Sequence, residues 1–227
     1  MTTDPNDLIW IMPAEEAVTT TILILTGGGT APITPLPQAD VVIAADSGLG
    51  LADELGLRVD LVVGDLDSVD RSQLADAIAS GVAVEEHPTD KDATDLDLAL
   101  QAGVERGADR MVVAGGGAGR IDHLLGIALL LTDERWADHA IEWHSGSSIV
   151  HIAREKILLD TRPGDLVSLI PMSDEAVVSV EGTRWPLETI PMSRGTTRGI
   201  SNEALGDGVT IDVQDGVVLA VVTGGEE

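Results

Sequence analysis

The chain of 227 residues contains no cysteine, phenylalanine or tyrosine, and it has few basic residues. The absence of cysteine excludes disulfide bonds, thiolate metal sites and cysteine nucleophiles. Aromatic stacking by a tryptophan must use one of only four residues, Trp10, Trp136, Trp143 and Trp185. The 13 Lys and Arg residues against 39 Asp and Glu residues give a formal net charge of −26. Nucleic acids and anionic membranes are bound through clustered cations, so this charge argues against both kinds of partner.

Long apolar runs are also missing, since none approaches the roughly 20 residues that cross a bilayer. The first residues are acidic, whereas a secretory signal would be basic. We therefore expect a cytoplasmic protein. Apolar residues make up 44% of the chain, which is enough for a substantial core.

The two halves of the chain differ in pattern. From about residue 21 to residue 133, short aliphatic runs alternate with stretches of helical period, which is typical of a parallel sheet covered by helices on both faces. From about residue 144 onward, short β-branched runs are separated by Gly, Pro and Asp. We predict an α/β protein with an N-terminal Rossmann-like parallel sheet, followed by a smaller all-β sandwich or barrel.

These patterns also give predicted boundaries. The segments are a tail or edge strand at 1–20, a nucleotide-binding α/β domain at 21–140, a junction at 136–147 and a β-domain at 144–227.

Glycines and carboxylates follow the predicted strands of the first half. Ligands of open parallel sheets bind beyond the carboxyl ends of the strands. The glycine-rich run 26–30 could bring backbone N–H groups close to a phosphate, or it could only form a turn. The fold would also gather five carboxylates at the same edge of the sheet, namely Asp46, Asp65, Asp67, Asp92 and Asp95.

Each of these polar residues also has a structural interpretation. Ser68 could cap the helix that follows it, and Asp92 with Asp95 resembles a capping box. Taken together, however, close carboxylates repel each other unless a cation lies among them. An all-oxygen site suits Mg²⁺, which usually completes its shell with water and substrate phosphate. The cluster therefore favours a nucleotide site.

A second glycine-rich turn, at 115–119, leads into an apolar helix. Backbone N–H groups at a helix N-terminus favour anions, and Arg120 would add a fork of donors. Arg120 could instead form a surface ion pair with a nearby Asp. His123 could be an acid or base, or a polar residue that only begins the helix.

Six motifs occur in a recognisable order. They are ADSG at 45–48, GDLDS at 64–68, DKDATDLDLAL at 90–100, GGGAGRIDH at 115–123, GTRWPL at 182–187 and RGISNE at 198–203. In sequence and spacing the series resembles that of the thiamine pyrophosphokinases. The similarity extends over both halves of the chain, although Ile127 stands where many relatives carry Asn.

The resemblance implies a Mg²⁺-dependent transfer of the terminal pyrophosphoryl group of ATP to the hydroxyl of thiamine, giving thiamine diphosphate and AMP. It also implies a homodimer with active sites shared between subunits. The implied catalytic residues are Asp46, Asp65, Asp67, Asp92, Asp95 and Arg120, of which the five aspartates would also hold the metal. The implied ATP-binding residues are Gly28, Ser47, Gly64, Ser68, Lys91, Thr94, Gly119, Asp122 and His123. The implied thiamine-binding residues are Trp185, Ser201 and Asn202.

The residues themselves agree with a cationic substrate. The thiazolium ring of thiamine carries a permanent positive charge, which an acidic cleft attracts, and a Trp face can add about 0.5–2 kcal/mol of cation–π attraction. Trp185 lies in a turn, although it could also cover an edge of the β-domain. Asp65 or Asp67 would take the proton of the hydroxyl.

Two other functions stay open at the level of the sequence. One is pyrophosphoryl transfer to another small alcohol, such as a hydroxymethyl pterin, and the other is a non-catalytic module that binds thiamine. Trp185 and the RGISNE segment favour thiamine over a pterin. The complete set of aspartates argues against a module without turnover, because binding alone gains nothing from crowded carboxylates.

Overall fold

A computed structural model describes residues 19–29, 31–117 and 119–224. The predicted N-terminal tail or edge strand lies almost entirely outside the described residues. The described part of the chain forms a ten-stranded sheet, a four-stranded sheet and four α-helices. The predicted combination of an α/β half with a smaller β half is confirmed.

The N-terminal half alternates strands and helices. Its elements are β1 (Thr21–Thr26), β2 (Val41–Ala45), α1 (Gly48–Leu55), β3 (Leu61–Gly64), α2 (Arg71–Ala79), β4 (Ala83–Glu86), α3 (Asp95–Glu105), β5 (Arg110–Gly115) and α4 (Ile121–Leu131). The strands pair in parallel in the order β4-β3-β2-β1-β5. Their carboxyl ends therefore lie along one edge of the sheet.

Alternation along β1 builds a core on each face of this sheet. Ile22 and Ile24 pack in the cluster that contains residues of α3 and α4, whereas Leu23 and Leu25 pack in the cluster that contains residues of α1. All four side chains are at most 2% exposed. Full burial of such a side chain contributes roughly 1.5–3 kcal/mol, so the central strand is a rigid base for the loops at its end.

The C-terminal half forms a sandwich. A 3₁₀ turn (Glu134–Trp136) precedes β6 (Ala140–Ser145), β7 (Ser148–Ala153), β8 (Ile157–Asp160), β9 (Leu166–Pro171), β10 (Glu175–Glu181), β11 (Leu187–Ser193), β12 (Asn202–Glu203), β13 (Gly208–Asp215) and β14 (Val218–Thr223). Strands β7, β14, β9 and β12 continue the large sheet, and the order β11-β10-β13-β8 forms the small one. Leu169 of β9, Val178 of β10 and Ile211 of β13 share one buried cluster between the two sheets.

The predicted junction at 136–147 contains β6, which pairs in parallel with β5 and antiparallel with β7. The two halves therefore share one continuous sheet. That residues 21–140 and 144–227 are separate domains stays a prediction. Strand β11 was not predicted, because Pro191 interrupts its pattern; the strand lies at an edge of the small sheet, where proline is tolerated.

The two helix caps considered as structural interpretations of Ser68 and Asp92 do not form. Asp70, and not Ser68, caps α2, since its carboxylate accepts two backbone N–H bonds of 2.8 and 3.1 Å. Thr94, and not Asp92, caps α3, and Asp95 lies in the first turn of that helix. Capping therefore explains neither Ser68 nor Asp92, which both remain candidates for the site.

Candidate active site

A cavity of about 550 Å³ lies at the carboxyl ends of β1, β2, β3 and β5. Every described residue that lines it lies between Thr26 and Leu130. Eleven of the predicted site residues line this cavity, namely Gly28, Asp46, Ser47, Asp65, Asp67, Ser68, Asp92, Thr94, Asp95, Asp122 and His123. The topology of the sheet thus brings together side chains that are up to about one hundred residues apart in sequence.

Close backbone packing shapes the entrance to α1. A Cβ at Gly27 would overlap Ser47 Oγ, and a Cβ at Gly48 would overlap the backbone oxygen of Leu25, so both positions require glycine. Two residues before Gly48, Asp46 adopts a left-handed backbone conformation with φ of 46°. Asp enters this region more readily than most residues. The turn therefore aims the Asp46 carboxylate into the cavity lining.

Three carboxylates lie close enough to hold one ion. Single oxygens of Asp46, Asp65 and Asp67 all lie within 4.8 Å of one another. Asp46 is only 7% exposed, and its Oδ1 is buried with no hydrogen-bond partner among the described residues. Oxygen donors that lack a protein partner suit a hard divalent cation. Asp92 and Asp95 line the same cavity but do not belong to this group of three.

The pKa of Asp46 reflects this crowding. Burial raises the pKa above its usual value, and the backbone N–H of Ser47 opposes the shift. The nearby charges of Asp95, Asp65 and Asp67 raise the pKa further. A bound cation would reverse the balance, because positive charge favours the ionised carboxylate.

Lys91 neutralises another part of the cluster. Its Nζ lies 3.1 Å from Asp65 Oδ2 and 3.0 Å from Asp95 Oδ1, and its side chain is only 14% exposed. The hydrogen bond from Lys91 is the largest cause of a lowered pKa at Asp65. Asp65 is therefore held as an anion, while Asp46 is not balanced in this way. Lys91, like Gly64 and Gly119, is not among the described residues that line the cavity.

The start of α4 carries an exposed ion pair. Arg120 Nε lies 3.2 Å from Asp122 Oδ1, and the guanidinium lowers the pKa of Asp122 to about 2. The surface ion pair considered for Arg120 is therefore present. Asp122 and His123 line the cavity, whereas Arg120 does not.

Several lining residues were not predicted from the sequence. On α4, Gly126 and Leu130 follow Asp122 at intervals of four, so helical spacing could have found them. Ile127 also lines the cavity and is 8% exposed, packed in the core cluster of α3 and α4. The lining residues not named as site residues are Thr26, Gly27, Ala45, Leu96, Asp97, Gly116, Gly126, Ile127 and Leu130. Of these, Thr26, Gly27 and Gly116 lie in the two glycine-rich turns considered above for phosphate binding.

The three predicted thiamine residues lie elsewhere, in the C-terminal half. Trp185 precedes β11 and is 56% exposed, so it is not a core tryptophan. Ser201 is exposed and has a left-handed backbone with φ of 56°. Asn202 begins β12 and is buried. None of the three is among the described residues that line the acidic cavity.

Comparison with known proteins gives one consistent result. Residues 35–142 match the family model described as "Thiamin pyrophosphokinase, catalytic domain", and residues 150–218 match "Thiamin pyrophosphokinase, vitamin B1 binding domain". A thiamine pyrophosphokinase of Bacillus subtilis is 26% identical over 191 residues, which cover 79% of this chain and 85% of that protein.

Solved structures share the fold. The crystal structure of the thiamine pyrophosphokinase from Bacillus subtilis superimposes with a TM-score of 0.79 at 24% identity, covering 91% of this chain and all of the other. That of the thiamin pyrophosphokinase from Candida albicans gives 0.73 at 12% identity, covering 89% of this chain and 90% of the other.

Proposed function

We propose a site assignment and a mechanism for this chain, which belongs to the thiamin pyrophosphokinase family. The family predicted from the order of the motifs is confirmed, and the chain is an enzyme of that family, with a catalytic and a thiamine-binding region. We propose that ATP and Mg²⁺ bind in the acidic cavity. The observation that carries this assignment is the group of three carboxylates, in which single oxygens of Asp46, Asp65 and Asp67 lie within 4.8 Å of one another. In addition, Asp46 Oδ1 is buried without a partner among the described residues.

Asp46, Asp65 and Asp67 would hold the magnesium ion. Bound there, Mg²⁺ would neutralise charge on the phosphates of ATP during the transfer. The glycine-rich turn at Gly28 and the start of α4 would supply backbone N–H groups to the phosphates. Lys91 already balances Asp65 and Asp95, so its charge would help the carboxylate cluster to accept a polyanion.

The reaction forms a bond between the hydroxyl oxygen of thiamine and the β-phosphorus of ATP. The bridging bond between the α- and β-phosphates breaks, and AMP leaves. We propose that the carboxylate of Asp67 accepts the proton of the hydroxyl. Among the described residues, both oxygens of Asp65 accept hydrogen bonds, from Lys91 Nζ and from the backbone N–H of Asp67. Asp67 Oδ1 accepts one from the hydroxyl of Ser68, and no N–H or hydroxyl donor of the described residues bonds to Asp67 Oδ2. Arg120 would stabilise the charge that develops on the phosphates once it leaves Asp122.

We assign thiamine to the exposed face of Trp185, with Ser201 beside it in the RGISNE segment. A cation stacked on an indole gains attraction from the ring, and the acidic surface of the protein favours the same charge. The exposure of the ring, 56%, supports this role over that of a core side chain.

Trp185 is not among the described residues that line the acidic cavity, which supports a homodimer in which one subunit supplies Trp185 to the cavity of its partner. Helix α4, which lines the cavity, also has an exposed apolar stripe of Ile121, Leu125 and Leu129, with exposures of 75%, 55% and 64%. Three such residues at intervals of four form a surface that monomers rarely leave open. A second copy of this chain is the occupant that would complete the site.

A product assay tests the function. The protein is incubated with Mg-ATP and either thiamine or a hydroxymethyl pterin, and AMP and the diphosphate ester are measured. AMP and thiamine diphosphate with thiamine alone are expected. AMP with the pterin alone would transfer the substrate assignment to the pterin, and tight thiamine binding without AMP would indicate a non-catalytic module.

Mixing two impaired variants tests the shared site. Alone, Asp67→Asn would be nearly inactive, and Trp185→Ala would be weakly active when thiamine is kept below the raised KM of that variant. In a mixed dimer one site carries both substitutions and the other carries neither, so about a quarter of all sites would be intact after random exchange. Recovery of about that activity is expected. A mixture no more active than its parts would contradict the shared site, and so would a monomer in sedimentation analysis.

The location in the cytoplasm and the lack of nucleic-acid and membrane partners stay predictions from composition. Among the described residues, the helices are too short or too polar to span a membrane.

A further inference from the structure

The side chain of Asn202 has no hydrogen-bonding capacity left for a ligand. Its amide oxygen accepts from the backbone N–H groups of Trp185 at 3.1 Å and Glu203 at 3.0 Å. Its amide nitrogen donates to the backbone oxygen of Trp185 at 2.8 Å and to Thr183 Oγ1 at 3.0 Å. A primary amide has two donor hydrogens and two acceptor positions, and all four are used here. The side chain is also buried, with the residue only 7% exposed.

These bonds reach both polar groups of the Trp185 backbone. The Asn202 amide thus pairs with Trp185 as a peptide group of a neighbouring strand would. The backbones of residues 182–184 and 203–205 are paired next to this contact. Arg184 N–H donates to Glu203 O at 2.8 Å, and Leu205 N–H donates to Gly182 O at 2.9 Å. Asn202 extends that pairing by one residue, to the tryptophan itself.

The indole ring of Trp185 is largely exposed, and its charge contact among the described residues is a weak one. The residue is 56% exposed, and one face of the ring has the Arg184 guanidinium at 5.2 Å from its centre. Arg184 is held by an exposed ion pair with Glu203 at 3.0 Å. Exposed pairs of this kind hold a side chain weakly. The hydrogen bonds of Asn202 to the Trp185 backbone therefore fix the point from which the ring projects.

We propose that Asn202 is a positioning residue for thiamine, which acts by fixing the backbone of Trp185 and not by contacting the substrate. This inference rests on the proposed function, because it takes the Trp185 ring as the thiamine contact. It departs from the role that the family resemblance implies for Asn202. Its chemical basis is that one primary amide donates to the carbonyl of Trp185 and accepts from the N–H of the same residue.

A double-mutant cycle separates positioning from contact. The substitution Asn202→Asp keeps the size and the acceptors but removes both donors. We expect it to raise the KM for thiamine about tenfold, because the bond to the Trp185 carbonyl is lost and two oxygens then face each other. The KM for ATP should change by less than about twofold. In the Trp185→Ala background, Asn202→Asp should change the thiamine KM by less than about twofold, since there is no ring left to position.

Effects that multiply in the double variant would overturn the inference, because they would show an independent contact between Asn202 and thiamine. An unchanged thiamine KM in Asn202→Asp would overturn it as well. Thr183→Val is the matched control: it removes one of the four bonds but neither bond to Trp185, and it should keep the thiamine KM within about twofold of wild type.

The fold and the proposed function are checked in the same experiment. Thermal unfolding and the KM for ATP report whether a variant folds, and Asn202→Ala replaces Asn202→Asp if the buried charge prevents folding. A wild-type chain that releases no AMP from ATP and thiamine would contradict the proposed function alone. Calorimetric thiamine affinities of the same variants then replace KM, with the same expected pattern, and absence of thiamine binding by the wild type would overturn the inference too.

Discussion

The acidic cavity differs from the segments 182–187 and 198–203 around Trp185, here called the loop, in whether its buried polar groups have hydrogen-bond partners. In the cavity, Asp46 Oδ1 is buried without a partner among the described residues, and like charges surround it. Around Trp185, each polar position of the Asn202 amide has a partner within the protein. Buried polar groups are normally paired, so an unpaired one marks a place where a ligand supplies the partner. A fully paired one marks a part of the site that is built in advance.

The difference has consequences for stability and function. An unpaired buried carboxylate costs free energy in the absence of a ligand. The Asn202 amide has all its hydrogen bonds within the protein and needs no ligand to satisfy it. Substitutions in the cavity should therefore act on turnover, and substitutions in the loop should act on the affinity for thiamine. Three predictions test this contrast.

The largest effect is expected from Asp67→Asn. This substitution keeps the size of the side chain but removes a proposed metal ligand that is also the proposed proton acceptor, so turnover should fall by roughly 100-fold or more. Asp67 is exposed, so the melting temperature should stay within a few degrees of wild type. Steady-state release of AMP measures the first quantity and thermal unfolding the second.

The matched control for Asp67 is Asp53→Asn, on the exposed side of α1, which should keep full activity. Turnover of Asp67→Asn within a few-fold of wild type would remove Asp67 from the mechanism. It would also weaken the contrast between the cavity and the loop.

A smaller effect, on stability, is expected from Asp46→Asn. The folded-state pKa of Asp46 is raised, so its contribution to stability is present below the unfolded value of about 3.8 and is lost as pH rises through the folded-state pKa. At pH 7 the ionised group is destabilising. In a chelator, Asp46→Asn should therefore raise the free energy of unfolding by about 1 kcal/mol, while the left-handed backbone tolerates Asn as it does Asp.

Denaturant unfolding at pH 7, with chelator and with Mg²⁺, measures this effect. The ion should stabilise the wild type and leave Asp46→Asn nearly unchanged, and the advantage of the variant in chelator should disappear below pH 3.8. If Asp46→Asn is less stable than the wild type in chelator at pH 7, the Asp46 carboxylate is not an unpaired buried charge, and the proposed metal site loses this support.

The fold could be predicted wherever local patterns carry the information. Aliphatic runs and helical periods gave the strands and helices of the first half, because burial on two faces leaves a continuous apolar pattern. Local sequence patterns did not predict strands whose existence depends on pairing with distant strands. Strand β6 belongs to both halves through its pairing with β5 and β7, and β11 tolerates Pro191 only because it lies at an edge.

The site could be predicted as a set of residues but not as an arrangement. Sheet topology alone brings the carboxylates to one edge, so their convergence follows from the sequence. Which of the carboxylates lie close enough to bind the same ion depends on the positions of their side chains. Asp92 is not in the group formed by Asp46, Asp65 and Asp67. The role proposed for Asn202 depends on three bonds between segments 17 to 19 residues apart, which no spacing rule encodes.

The smallest effect is expected from Arg184→Gln, which tests what holds the indole ring. The Arg184 guanidinium lies over one face of the ring and carries the same charge as thiamine. Its removal should lower the thiamine KM by no more than about threefold at low salt, and the difference should shrink in 0.5 M salt, because exposed charges are screened within about 10 Å or less. Arg194→Gln, which removes a comparable exposed pair with Asp174, is the control and should have no effect. A tenfold rise in the thiamine KM of Arg184→Gln would mean that Arg184, and not the Asn202 amide, places the ring. The loop would then depend on a weak surface contact, and its contrast with the cavity would fail.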